Sequence, residues 1–264
     1  MLKLDHVSKT FNPGAVTEKK ALTDLCLELQ PGDFCTVIGG NGAGKSTMLN
    51  TVAGTFLPDS GSVLVGGKDV TRLKEYRRAR YLGRVFQDPM LGTAATMSIE
   101  ENLALARRRG QRRTLRWGIS NREREEYRRA LAGLELGLED RMSSKVGLLS
   151  GGQRQALTLL MATLQKPEVL LLDEHTAALD PVTASRVLKL TDQMVRENRL
   201  TTLMVTHNMN DALAYGNRLV MMDNGRVILD IAGEKKKKTT VADLMEMFVK
   251  ASGHALSNDR MLLG

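Results

Sequence analysis

The stretch Gly39-Gly40-Asn41-Gly42-Ala43-Gly44-Lys45-Ser46 constrains this chain more than any other, because it fits the phosphate-loop pattern G-x-x-x-x-G-K-[ST]. Before it, Phe34-Cys35-Thr36-Val37-Ile38 is a short apolar, β-branched run that predicts a buried strand. After it, Ser46 to Ala53 can run as a helix. A strand, a glycine turn and a helix in that order let successive N–H groups and a helix N-terminus point at one anion. The backbone of Gly39, Asn41, Gly42, Ala43 and Gly44 would form the cradle, with Lys45 reaching the β- and γ-phosphates and the Ser46 hydroxyl ligating Mg²⁺. A bare glycine turn would explain neither Lys45 nor Ser46. The expectation is a nucleoside triphosphate site.

The rest of the chain supplies a sheet to carry that loop. Leu2, Leu4 and Val7 predict one strand, and Leu22, Leu25, Leu27 and Leu29 another. Ser62–Val65 and Tyr81–Phe86 read as further strands. Val169–Asp173 and Leu203–His207 are the uniformly apolar runs of a parallel sheet covered on both faces, and a helix from about Val182 to Glu197 makes them a βαβ crossover. Asp223-Asn224-Gly225 between two apolar runs signals a hairpin. From about 88 to 150 the pattern is helical, heavily charged and free of strand-like runs. The expected fold is α/β: a mostly parallel P-loop core, an N-terminal antiparallel β subdomain and an inserted α-helical subdomain. Residues 1–232 form that domain, and 233–264 hold a lysine run, a short helix and a tail.

No run of eighteen apolar residues and no apolar leader is visible, which argues against a membrane span and against secretion. The two cysteines, Cys26 and Cys35, fall in strand-like runs and read as small buried residues rather than a disulfide. A formal charge of +8 allows nucleic acid, an anionic membrane face or a solvated surface as partners.

Two further motifs narrow the function. Asp173 and Glu174 follow four aliphatic residues, Val169 to Leu172, where a strand-end carboxylate beside a phosphate loop would hold Mg²⁺. The second carboxylate could orient or deprotonate a water; a helix cap would account for one acid and not for both. In Leu149-Ser150-Gly151-Gly152-Gln153, Ser150 and Gln153 form a capping box. Gly151 and Gly152 then stand in a first helical turn, where each gives up roughly 0.5–1 kcal/mol against alanine. A bare N-terminus open to a second phosphate would repay that, and it implies two nucleotide-binding surfaces on one chain.

With the phosphate loop, Val85-Phe86-Gln87, Leu149–Gln153, Leu172-Asp173-Glu174, Ala178-Leu179-Asp180 and Thr206-His207 in this order, the chain resembles the ATP-binding subunit of an ABC transporter over about residues 1–232. The resemblance implies that two copies sandwich two ATP molecules, each between one copy's phosphate loop and the other's Ser150, Gly151, Gly152 and Gln153. It assigns Phe11 to adenine stacking, Lys45, Ser46 and Thr47 to phosphates and Mg²⁺, and Asp173 to the metal. It makes Glu174 the general base, His207 a clamp on the γ-phosphate and attacking water, Gln87 a γ-phosphate sensor and metal or water ligand, and Asp180 a contact across the dimer. The implied partners are transmembrane permease subunits and an extracytoplasmic solute-binding protein, with the chain on the cytoplasmic face of the membrane. Import, of amino acids in particular, is the implied direction. One departure is visible: His175 stands where the family pattern has proline.

The run Arg107-Arg108-Arg109-Gly110-Gln111-Arg112-Arg113-Thr114-Leu115-Arg116-Trp117 is read as a membrane-proximal surface, with a solvated loop or a nucleic-acid contact as alternatives. Lys235–Lys238 read as a solvated linker before a helix that buries Val241, Leu244, Met245 and Phe248. A soluble relative acting on nucleic acid or the ribosome is the competing function. No direct nucleic-acid role is expected, because there is one ATPase half and no coiled-coil arm. A non-hydrolysing regulator is disfavoured by Glu174 and His207.

Overall fold

The alternating apolar residues near the start do pair as strands in the computed structural model, which describes residues 1–111 and 118–253. β1 (Leu2–Phe11) and β2 (Lys19–Leu29) run antiparallel with Leu2 opposite Leu29 and Leu4 opposite Leu27, so both strands bury their leucines on one face. β3 (Phe34–Gly39) passes through the glycine loop into α1 (Lys45–Ala53). β4 (Ser60–Val65) and β5 (Lys68–Asp69) complete an antiparallel sheet in the order β2-β1-β4-β5. A single helical turn, α2 (Glu75–Arg78), precedes β6 (Leu82–Val85).

The helices α3 (Ile99–Arg107), α4 (Asn121–Ala132) and α5 (Gly151–Thr163) follow. The second half of the chain alternates β7 (Val169–Asp173), α6 (Pro181–Asn198), β8 (Thr202–Val205), α7 (Met209–Ala214) and β9 (Arg218–Asp223). It closes with β10 (Arg226–Ala232), α8 (Gly233–Lys238) and α9 (Val241–Ser252).

The second sheet has the order β10-β9-β3-β8-β7-β6, parallel except for the edge strand β10. Its central strands β3, β7 and β8 are buried along almost their whole length because both faces are covered. Cys35, Val37, Leu171, Leu203 and Val205 pack with β1, β2 and α1, while Leu170, Leu172 and Met204 pack against Leu159 of α5 and Leu188 and Val195 of α6. A sheet wound this way gathers the carboxyl ends of its parallel strands into one crevice. That end carries the glycine loop after β3, Asp173 closing β7, and His207 just beyond β8.

Among the described residues between 88 and 150 no strand forms, and Ile99, Leu103, Tyr127, Leu131, Leu138 and Met142 share a separate core with Ala156, Leu157 and Leu160 of α5. The hairpin turn is as expected, with Asn224 and Gly225 both at positive φ between Asp223 and Arg226, which face each other.

Two expectations are corrected. Lys235–Lys238 are no linker: they belong to α8, and Lys236 is buried, its ammonium donating to the carbonyls of Tyr215 and Gly216 (the latter at 3.1 Å). A four-carbon stem lets one lysine of a charged run turn inward along apolar surface while its neighbours stay wet. Cys26 is exposed although Cys35 is buried, because Cys26 alternates between the buried Leu25 and Leu27 and so faces outward, where its Sγ accepts from His6 N at 3.4 Å.

Candidate functional site

The phosphate loop is shaped by positions where no side chain fits. A Cβ on Gly39 would lie 2.3 Å from the Met222 carbonyl oxygen, and one on Gly44 would lie 2.5 Å from that of Ala21. Gly44, at φ +99, is the residue from which α1 starts, and no side chain caps that N-terminus. The loop is braced by the β9–β10 turn, since Gly225 N donates to Ala43 O at 3.0 Å. Lys45 is buried and folds back along the loop, its Nζ 2.6 Å from Gly39 O and 3.1 Å from Gly40 O. Burial pushes its pKa down, and the charges of Glu174 and Asp173 oppose that shift. Its ammonium is thus held on carbonyls beside two carboxylates. Ser46 and Asn41 are exposed and Thr47 is half-buried on the first turn of α1.

The acid pair caps no helix. Asp173 is the last residue of β7, Glu174 follows it, and the cap of α6 is Asp180. Burial raises the Asp173 pKa, and the Arg84 guanidinium 3.6 Å away works against this. Arg84, on β6, also donates to Asn50 Oδ1 of α1 at 2.7 Å and lies 4.5 Å from the centre of the Phe86 ring. Glu174 adopts a left-handed backbone, φ +43, and its N–H donates to Val205 O at 3.0 Å. Its carboxylate stands 3.7 Å from His207 Nδ1, an ion-pair distance rather than a direct hydrogen bond. Attraction to His207 draws the Glu174 pKa down, and Glu174 raises that of His207.

The second glycine motif opens α5. Ser150 Oγ accepts from Gln153 N at 3.3 Å and Gln153 Oε1 accepts from Ser150 N at 3.2 Å, which is the expected capping box. The structure adds a reason for Gly152 that the sequence did not suggest: a Cβ there would lie 2.3 Å from Thr183 Cγ2, in the first turn of α6. Gly151 has only Leu179 Cδ2 near, at 3.2 Å, and it is exposed with Ser150. Asp180 caps α6, its Oδ1 accepting from Thr183 N at 3.0 Å.

Lys45, Asp173, Glu174 and His207 therefore share one end of the parallel sheet, while Ser150–Gln153 lie at the α5–α6 junction. Gln87, just past β6, is exposed and its side chain bonds to none of the described residues. Phe11 ends β1 with its ring edge-to-face on Phe56 at 5.1 Å.

Several participants were not foreseen. Arg84 is the one charged residue of β6, and a lone charge in an apolar parallel strand is a readable signal of a buried partner. Gln155, buried on α5, donates to Phe86 O at 3.2 Å and so ties the residue before Gln87 to the helix that starts at Ser150. His175 points away from the crevice, into the interior beside α6. The arginine run is partly internal: Arg108 pairs with Glu123 at 3.0 Å and Arg109 donates to Ala162 O and Gln165 O at 3.0 Å. Arg109 is thus turned inward, whereas Arg108 keeps 37% of its side chain exposed; Arg112 to Trp117 lie outside the described residues.

The chain is similar to known proteins. The family described as ABC transporter matches residues 22–177. A tyrosine transport ATP-binding protein of Clostridioides difficile is 44% identical over 94% of this chain and 98% of that protein. A methionine import ATP-binding protein of Lactobacillus delbrueckii subsp. bulgaricus is 35% identical over 86% of this chain, which spans 64% of that relative. Among solved structures, a dimeric post-hydrolysis state of the ATP-binding cassette MJ0796, bound to ADP and Pi, superposes with a TM-score of 0.75 at 28% identity, covering 88% of this chain and 98% of that one.

Proposed function

On the premise that this chain belongs to the ABC transporter family, as an ATP-hydrolysing, ATP-binding subunit, we propose that it drives solute import as a homodimer on separate transmembrane subunits. No helix of the described residues is long and apolar enough to cross a membrane, so a transport path needs other chains, and this subunit would sit on them at the cytoplasmic face. A solute-binding protein outside the membrane would deliver the cargo. The 44% identity to a protein named for tyrosine transport favours an amino acid as that cargo.

The observation that carries the reading is the convergence of Lys45, Asp173, Glu174 and His207 where β3, β7 and β8 end. The glycine loop would wrap the β- and γ-phosphates, and Lys45 would leave the Gly39 and Gly40 carbonyls for phosphate oxygens. Adenine would stack near Phe11. The donor set also fits Mg²⁺: the exposed Ser46 hydroxyl, the Asp173 carboxylate beside its Arg84 counter-charge, and Gln87. Bound there, the ion would neutralise charge that develops on the transferring phosphoryl group.

Glu174, kept ionised by His207, would accept the proton of the attacking water, and His207 would hold that water and the γ-phosphate in line. Catalysis here needs positioning and charge rather than a covalent intermediate. Ser150, Gly151, Gly152 and Gln153 would close on the nucleotide of the partner copy, with Asp180 beside that contact. Steady-state phosphate release and ATP binding test the assignments. Lys45→Ala loses binding and turnover together, whereas Glu174→Gln binds ATP and does not turn over. Near-normal hydrolysis by Glu174→Gln removes Glu174 as the base.

A further inference from the structure

We propose that His175 is a positioning residue for Glu174, holding the base in its strained backbone conformation through one hydrogen bond to Thr191 of α6. The inference rests on the reading of Glu174 as the general base.

Glu174 lies at φ +43, a left-handed conformation that a residue with a Cβ adopts only when its surroundings enforce it. Two main-chain bonds flank it: Glu174 N to Val205 O at 3.0 Å, and Ala177 N to Glu174 O at 3.0 Å. The first holds the peptide before Glu174, and the second holds the peptide after it by its carbonyl. The side chain of His175 anchors the far end of that second peptide, at Cα of residue 175. The imidazole is 2% exposed, and its Nε2 lies 3.1 Å from Thr191 Oγ1.

The direction of that bond follows from proton counting. A threonine hydroxyl has one proton, and that of Thr191 points to Val187 O, 2.8 Å away on the same helix. His175 Nε2 must then carry its own proton and donate it to Thr191 Oγ1. Nδ1 is left bare, and it is a buried atom without a partner among the described residues. A site that merely needed filling would take a leucine with no unsatisfied lone pair. What the imidazole adds is a rigid donor reaching from the residue after Glu174 into α6.

The loop between β7 and α6 is thereby fastened to that helix twice. Asp180 caps the first turn, and His175 grips Thr191 about three turns further along. With both fastenings in place, the Glu174 side chain leaves the backbone toward His207, and its carboxylate comes to 3.7 Å from Nδ1. Without the second fastening only main-chain bonds hold the loop at residue 175, and the Glu174 carboxylate is placed less firmly.

Thr191→Val tests this cleanly, because it removes the acceptor and keeps the volume. Turnover, KM, ATP affinity and melting temperature are measured on the full chain for Thr191→Val, Thr191→Ser, His175→Leu and the double variant His175→Leu/Thr191→Val, with Glu174→Gln in parallel. We expect Thr191→Val to lower kcat about tenfold, in keeping with the steep penalty for misplacing a catalytic group, with KM and ATP affinity unchanged. Thr191→Ser, which retains the hydroxyl, returns kcat to within about twofold of the parent by the same reasoning. The double variant is no slower than the slower single variant, as for two ends of one bond. A Thr191→Val protein with a lowered melting temperature and parental kcat overturns the proposal, and so do multiplicative losses in the double variant. If Glu174→Gln itself turns over normally, the base assignment has failed, and that result is separate from any effect at residue 191.

Discussion

Gly152→Ala is the substitution whose consequence the structure fixes most closely. Carbon atoms in contact sit about 3.5–4.0 Å apart, and the added Cβ would stand 2.3 Å from Thr183 Cγ2. Thr183 cannot yield easily, because it is β-branched and its N–H is held by Asp180 Oδ1 at 3.0 Å. Forcing a methyl into such a contact costs about 1–3 kcal/mol. Replacing glycine by alanine in a helix returns about 0.5–1 kcal/mol, so the net loss is about 0–2.5 kcal/mol. Urea unfolding of Gly152→Ala, Thr183→Ser and the double variant isolates the clash, since Thr183→Ser deletes only the offending methyl. We expect the double variant to recover most of the loss relative to Thr183→Ser alone. If Thr183→Ser gives no relief to Gly152→Ala, the α5–α6 contact is not what requires glycine. ATP-driven association of the rescued double variant then tests the second role of Gly152. It stays weak if a bare helix N-terminus must approach the partner's nucleotide.

The Glu174–His207 pair predicts a pH window. The raised His207 pKa contributes stability that is complete below its ordinary value of 6.5 and lost as pH rises through the raised value. The lowered Glu174 pKa contributes stability present above 4.5 and lost as pH falls through its lowered value. NMR titration should place the His207 midpoint above 6.5, and Glu174→Gln should return it toward 6.5; an unmoved midpoint contradicts the pairing. Lys236 makes the opposite case, because burial pushes its pKa from 10.5 to about 8 and the unfolded chain binds the extra proton between those values. Stability of the parent relative to Lys236→Met should therefore rise as pH climbs through that interval, and a constant difference in melting temperature would refute it.

Much of the fold was legible because burial on both faces of a parallel sheet leaves continuous apolar runs, as in Val169–Leu172 and Leu203–Val205. The phosphate loop was legible because its glycines answer to backbone geometry, which a local pattern records. What stayed hidden depends on contacts between distant segments. Arg84 meets Asp173 only because β6 pairs with β7, and Thr183 meets Gly152 only because α5 docks on α6. Lys236 looked like its three neighbours, and only the seating of α8 against the Tyr215 and Gly216 carbonyls distinguishes it. His175 stood out as a departure beside Glu174, but its bond to Thr191 crosses from a loop to the far turns of a helix.

The account turns on two copies sharing ATP between the phosphate loop of one and Ser150–Gln153 of the other. The solution mass of Glu174→Gln by light scattering on a sizing column, with and without Mg-free ATP, addresses that directly. The predicted result is the mass of one chain without nucleotide and of two chains with saturating ATP. A protein that binds ATP yet keeps the mass of one chain would contradict it.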